Sequence, residues 1–260
     1  NFSYGQKNMK LKKITDYLDN YLDIGAFRDD SANGLQVANS ENVEKIGLAV
    51  DACRKAIQKA GDAQCNLLIV HHGLFWGKQE LVVDNHFQRI SSLIMADIAL
   101  YAAHLPLDGH AEVGHNIQIA KKIGLSGIEP FAEYYGKKIG MKGKIKTPKS
   151  CSEIAEDLEK AIGPCNGLLK FGPEQVHSIG IVSGAATDPA LFKELKNQAV
   201  DLFVTGEPKH GAYYLAQEYG LNVFYCGHYL TETFGMKALG EHLQKQLNIP
   251  TEFIDVPCIF

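Results

Sequence analysis

The chain has 260 residues, 45% hydrophobic and 22% charged, an ordinary globular composition with room for one large or two smaller domains. A formal charge of −4 weighs against general binding to nucleic acid or a membrane surface, although a local basic patch is compatible with it. No apolar run approaches the roughly 20 residues of a membrane span. The six cysteines form no C-x-x-C pair and read as reduced, mostly buried thiols of a cytoplasmic protein. The opening Asn1 to Asn8 is polar and lacks a signal-peptide core; Met9 reads as the native initiator, with residues 1–8 an expression remnant.

In chain order, Lys10 to Tyr21 places Leu11, Ile14, Leu18 and Tyr21 at helical spacing. A polar loop follows through Asp29-Asp30-Ser31 to Gly34-Leu35-Gln36-Val37. Strands are expected at Lys45 to Val50, Asn66 to Val70 and Ala99 to Ala103, with helices at Arg54 to Gly61, Phe87 to Ala96 and Asn116 to Ile123. Pro130 to Pro173 reads differently, as short β-type pieces punctuated by glycine and one helix, Ser152 to Ile162. The βα rhythm then resumes with strands at Ser178 to Val182, Asp201 to Thr205 and Asn222 to Cys226, and helices at Ala190 to Asn197 and Gly211 to Tyr219. Strands alternating with helices argue for an α/β fold with mostly parallel sheets flanked by helices.

The two rhythms resemble each other. Ile46-Gly47-Leu48-Ala49-Val50-Asp51 matches Ile179-Gly180-Ile181-Val182-Ser183-Gly184, and Asn66 to Val70 matches Asp201 to Thr205. The spacings are 133, 135 and then 124 positions, uneven as loop insertions would produce. Two similar α/β domains related by duplication follow: 9–129, completed by 227–260, and 130–226. Chance similarity of α/β units is the competing reading.

Three apolar runs end on metal-binding side chains. Leu67 to Val70 runs into His71-His72; Leu100 to Ala103 into His104, with Asp108 four residues on; Phe224 to Gly227 into His228, with Glu232 four residues on. Imidazole and carboxylate bind first-row divalent metals. Four histidines and two carboxylates exceed one ordinary site and suit two adjacent ions. In parallel α/β sheets such strand ends gather at one edge. Alternation along a strand sends His71 and His72 to opposite sides, as ligands of different ions or as one ligand and one supporting group. Glu232 is the first choice for a bridge between cations. A lone histidine is more often structural, and His86, His177 and His242 are read that way. Glu207 and His210 occupy the repeat position of the His pair and are candidates for substrate contact or proton transfer. The Gly-containing turn Ser183 to Pro189 reads as a plain capped turn, His110 and His115 as flanking groups, and Trp76 as packing.

Gly34-Leu35-Gln36-Val37, His71-His72-Gly73-Leu74-Phe75, His104 to Asp108, Thr205-Gly206-Glu207 and Gly227-His228-Tyr229-Leu230-Thr231-Glu232 together resemble the Nif-three-like family, dinuclear metal-centre proteins also called type 2 GTP cyclohydrolase I. The resemblance covers nearly all of Met9 to Phe260. It implies two similar α/β domains with the C-terminal segment packed on the first, and a toroidal homohexamer with its metal pairs facing an internal cavity. It implies metal ligands at His71, His72, Asp108, His228 and Glu232, with His104 a further ligand or close neighbour. Family members commonly carry Pro-Leu after the His pair; Gly73-Leu74 departs from this and is expected to loosen the turn.

The expected activity is therefore that of a hydrolase dependent on two divalent ions (Zn, Fe, Mn, Co or Ni), since paired ions serve many hydrolases. The family name suggests GTP as a small-molecule substrate, but the sequence shows neither a guanine pocket nor a triphosphate cradle. The competing expectation is a non-catalytic, metal-binding regulatory or scaffold protein forming a ring.

Overall fold

The computed structural model describes residues 8–259. The remnant expected at residues 1–8 lies, but for Asn8, outside the described residues. The elements in chain order are β1 (Met9–Lys10), α1 (Leu11–Tyr21), β2 (Gly34–Val37), β3 (Asn42–Val43), β4 (Ile46–Asp51), α2 (Arg54–Asp62), β5 (Leu67–His72), α3 (Asp84–Met95), β6 (Ala99–Ala102) and the single turn α4 (Leu105–Asp108). These are followed by α5 (His115–Lys122), β7 (Ser126–Tyr134), β8 (Lys137–Ser150), α6 (Cys151–Ile162), β9 (Gly167–Leu169), β10 (Gln175–Ile181) and α7 (Pro189–Asn197). The chain ends with β11 (Leu202–Thr205), α8 (His210–Tyr219), β12 (Asn222–Tyr225), α9 (His228–Leu247) and β13 (Thr251–Phe253).

The chain divides into two compact units: unit 1 runs to Leu107 and adds Met236–Val256, while unit 2 is Asp108–Gly235 with the residues from Pro257. The divisions thus fall at 107/108 and 235/236, where the sequence reading places them at 129/130 and 226/227. Packing explains the first difference. Ile117, Ile119 and Ala120 of α5 enter a core with Ile154, Leu158 and Val176, and β7 pairs with β8.

Unit 1 is built on a five-stranded sheet in the order β13-β4-β5-β6-β2, parallel except for β2 at its edge. β5 and β6 are almost wholly buried, as strands covered on both faces must be, so they read as unbroken apolar runs. On one face Ala56, Ile57 and Ala60 of α2 and Leu93 of α3 pack with Leu68, Val70 and Leu100. Against Leu48 lies Gly240 of α9, and α1 joins α9 through a Tyr17 hydroxyl–His242 Nε2 contact of 2.6 Å.

Unit 2 has a six-stranded sheet in the order β7-β8-β10-β11-β12-β9. Only β10-β11-β12 are parallel; β8 pairs antiparallel with β10, and β9 with β12. This sheet is more mixed than the expected pattern because the glycine-punctuated segment forms one long hairpin, β7–β8. Helix α6 starts on a capping box, Ser150 with Glu153, and α7 on Asp188 with Pro189 behind it. Phe131, Phe192 and Phe203 form a core with residues of α7 and α8. Phe203 is fully buried and edge-on to Phe192 at 6.1 Å, so Phe203→Ala is expected to cost about 3–5 kcal/mol, measured as a lowered urea midpoint at unchanged slope.

The strand registers bear on the repeat. Ile46 pairs with Leu67 and Ile179 with Leu202, and each of these four is matched to its counterpart in the sequence alignment of the halves. The third strands differ: Ala99 pairs with Leu67 but Asn222 with Leu202, so the structural offset is 123 and not 124. The second copy has one residue more between strand and histidine, absorbed at Gly227, whose φ is +83°.

Among the described residues no helix is long and apolar enough to cross a membrane. Among the described residues the six cysteines form no disulfide; Cys65, Cys151 and Cys226 are buried, and Cys258 is exposed.

Candidate metal-binding site

In unit 1 the carboxyl ends of β5 and β6 bring three imidazoles together. Ring nitrogens of His71, His72 and His104 lie within 4.8 Å of one another, in an arrangement that could hold a metal ion. Ring centroids are 4.7 Å apart for His71 and His72 and 4.9 Å for His71 and His104. Strand alternation does not keep the adjacent rings apart; their planes are tilted 55° to each other at the end of β5.

Each ring is oriented by an oxygen at Nδ1. The acceptor is the Ala103 carbonyl for His71 at 2.9 Å, the Asp51 carboxylate for His72 at 2.9 Å, and the Asp29 carboxylate for His104 at 2.9 Å. Asp51 ends β4 and sits on the same rung as His72. Asp29 lies in the loop after α1 and also accepts from the backbone N–H groups of Ser31 and Leu105 and from Asn33 Nδ2. Burial opposes its ionisation, but the hydrogen bond and charge of His104, helped by Asn33 and Ser31, hold its pKa down at about 2. The sequence reading assigned neither Asp29 nor Asp51; Asp51 carried a signal as a carboxylate at the end of a repeated strand.

The turn after His72 is pinned, not loosened. Gln36 Oε1 accepts from Leu74 N–H at 2.7 Å, and a Cβ on Gly73 would lie 2.3 Å from Gln36 Nε2 and 2.7 Å from Ala102 Cβ. Glycine there makes room for the side chain that holds the turn. Trp76 donates Nε1–H to the Gly73 carbonyl and stands edge-on to His104, so it packs against the group.

In unit 2 the end of β12 and the first turn of α9 place His228 and Glu232 one helical turn apart, with Nε2 to Oε1 at 3.0 Å. The His-x-x-x-acid spacing is thus a helical i, i+4 pair. Glu207, following β11, faces His228 Nδ1 at 3.0 Å. Burial works against the imidazolium, but hydrogen bonds and charge from Glu232 and then Glu207 outweigh it and raise the pKa of His228 to about 9. Glycines make this packing possible. A Cβ on Gly184, where φ is +66°, would lie 2.4 Å from Glu232 Oε1, and one on Gly206 would lie 2.7 Å from His228 Cα.

Asp108 is buried and accepts from Ser183 Oγ at 2.9 Å. A nitrogen of His115 and an oxygen of Asp108 lie within 4.8 Å. His115 Nδ1 accepts from Gly235 N–H at 3.0 Å, so a neutral ring carries its proton at Nε2. His115 is therefore built as a hydrogen-bond donor beside Asp108, a role the sequence reading did not assign.

The remaining candidates separate cleanly. Glu207 touches a metal-ligand candidate. His210 opens α8 as an exposed residue whose ring meets Tyr214 edge-on at 5.8 Å. His110 Nδ1 accepts from two backbone N–H groups of its own loop. The Ser183 turn is a capped turn, with Gly184 N–H donating to Thr231 Oγ1.

The donor chemistry fits divalent metal: imidazoles oriented at Nδ1 by acceptors, with carboxylates beside them, are the usual surroundings of a metal-binding histidine. Residues 9–258 match the family described as Duf34/NIF3, NGG1p interacting factor 3. The chain belongs to the DUF34/NIF3 family. One relative, called a GTP cyclohydrolase 1 type 2 homolog, from Archaeoglobus fulgidus, is 42% identical over 249 residues, covering 96% of this chain and 99% of its own. Among solved structures, TTHA1606 from Thermus thermophilus aligns with a TM-score of 0.88 at 41% identity, covering 97% of this chain and 100% of that one. The protein ybgI, described as of unknown function, aligns with a TM-score of 0.89 at 31% identity, covering 96% and 99%.

Proposed function

We propose that the chain is a hydrolase dependent on divalent metal, with His71, His72, His104, Asp108, His228 and Glu232 supplying the ligands of two ions per chain. The observation that carries this is the common dressing of four histidines: each of His71, His72, His104 and His228 has its Nδ1 against an oxygen acceptor. Bound divalent ions would polarise the bond under attack and make water a nucleophile at neutral pH. Around them the chain's own groups orient and move protons. Asp29 and Asp51 hold the unit 1 rings, Glu207 holds His228, and Glu207 is the carboxylate placed to exchange a proton with that imidazole.

A purine nucleotide such as GTP is the proposed substrate, because relatives carry the cyclohydrolase name. The proposed assembly is a homo-oligomer, a hexameric ring on the family resemblance, in the cytoplasm. Exposed Leu81, Val82, Val83, Phe87, Ile94 and Met95 offer apolar surface for self-association.

The test loads the protein with Zn2+, Mn2+ or Co2+ and assays GTP and a phosphoester panel against Glu232→Gln. Turnover that falls by about 100-fold or more in the variant, with bound metal reduced, is the expected result. Turnover unchanged by the substitution would sink the reading. Absence of turnover on every substrate favours a second reading, a metal-binding regulatory or scaffold protein; the family description, which names an interaction and not a reaction, supports it.

A further inference from the structure

The two unit 1 carboxylates that no motif singles out do more than neighbour the histidines. An ionised carboxylate is an acceptor only, so an imidazole bonded to it at Nδ1 must carry its proton there and keep its lone pair on Nε2. That is the less populated tautomer of free histidine. Asp51 imposes it on His72, and Asp29, whose side chain is only 3% exposed, imposes it on His104 through both oxygens at 2.9 and 3.1 Å. The fold could equally have supplied a donor, as the Gly235 N–H does to His115, with the opposite tautomer as the result.

The repeat shows how the orienting carboxylates were distributed. Asp51, at the end of β4, aligns with Gly184, and His72, at the end of β5, aligns with Glu207. In the first half the carboxylate stands on the first strand and orients a histidine on the second. In the second half the carboxylate follows the second strand and orients the histidine after the third, while glycine at the Asp51 position gives Glu232 its space. The carboxylate that orients a histidine thus ends the first strand of one half and follows the second strand of the other.

We propose that Asp51 and Asp29 are positioning residues that select the Nδ1–H tautomers of His72 and His104, leaving Nε2 of each as the metal-binding nitrogen. The metal-binding part rests on the function proposed above; the tautomer part does not. Asparagine preserves size but can donate or accept, so it removes the selection without opening a cavity. Asp51 is the cleaner position, because its side chain is 45% exposed, whereas Asp29 also holds two other donors of its loop and the Leu105 N–H of α4.

Two measurements on Asp51→Asn and Asp29→Asn test this: long-range 15N–1H NMR of the neutral imidazoles in metal-stripped full-length protein, and Zn2+ affinity by chelator competition. Wild type is expected to show Nδ1–H at His72 and His104. Each variant should show a tautomer mixture at its own histidine only, with Zn2+ bound about 10- to 100-fold more weakly. Asp51→Glu should recover part of that loss. An Nε2–H form in wild type, or Asp51→Asn with tautomer and affinity both unchanged, overturns the proposal. Wild type that shows the Nδ1–H forms yet takes up no Zn2+ overturns the metal-binding part and the function it rests on, while the tautomer assignment stands.

Discussion

Gly206→Ala is expected to unfold several degrees below wild type and to lose metal, although the substitution adds only one methyl group and changes no charge. Its Cβ would lie 2.5 Å from the Gly184 carbonyl oxygen, 2.7 Å from His228 Cα and 3.0 Å from His228 N. All three are backbone atoms, so no side chain can swing away, and overpacking of this kind costs about 1–3 kcal/mol. The strain falls on the segment that carries His228 and on the turn that accepts both Gly206 N–H and Glu207 N–H at the Gly184 carbonyl. The control is Gly211→Ala in α8, where a Cβ meets nothing within 4 Å. There helix propensity predicts no loss and a gain of up to about 1 kcal/mol. Thermal melts and elemental analysis of both variants decide the matter. Equal melting temperatures and equal metal content would refute the close-approach argument.

The second large effect is on pH. A proton and a divalent cation compete for His228 Nε2, and the Glu232 and Glu207 carboxylates raise the pKa there to about 9 from the ordinary 6.5. Metal affinity at this group should therefore climb about tenfold per pH unit across the window from 6.5 to 9 and level off above it. An undisturbed histidine would level off near 6.5. Folding stability without metal has the opposite sign. The folded pKa lies above the unfolded one, so this cluster's contribution is complete below pH 6.5 and is lost as pH rises through about 9. Glu207→Gln removes one of the two charges and should move the plateau of metal affinity to lower pH. Co2+ binding followed by its absorption band across pH 6 to 9 reads both proteins, and identical profiles would refute the role given to Glu207.

Much of the site was legible because metal chemistry restricts residue type. Few side chains ligate a cation, and His71-His72, His104 to Asp108 and His228 to Glu232 each stand where an apolar run stops. The helical pair His228–Glu232 was legible as a spacing, though not as a helix, since the apolar run before it reads as strand and the turn falls at Gly227. Asp29 was illegible for a different reason. It lies 75 positions from His104, in a loop whose polar residues look alike in sequence, and only the pairing of β2 with β6 brings that loop to the end of β6. The long β7–β8 hairpin was read as fragments, because its glycines break the alternation that marks a strand while cross-strand pairing continues through them.

The chain by itself determined the α/β class, the repeated strand triplets and the standing of histidines and carboxylates at strand ends, because hydrophobic periodicity and residue type are local properties. Tertiary structure alone decided where the units divide, which nitrogen of each imidazole is held, and that His115 Nδ1 meets a backbone donor where the unit 1 rings meet oxygens. It also decided that Glu207 bears on His228 while His210, three residues on, meets Tyr214. Those outcomes depend on contacts between residues distant in sequence, and on which backbone groups the strand ends leave facing each ring.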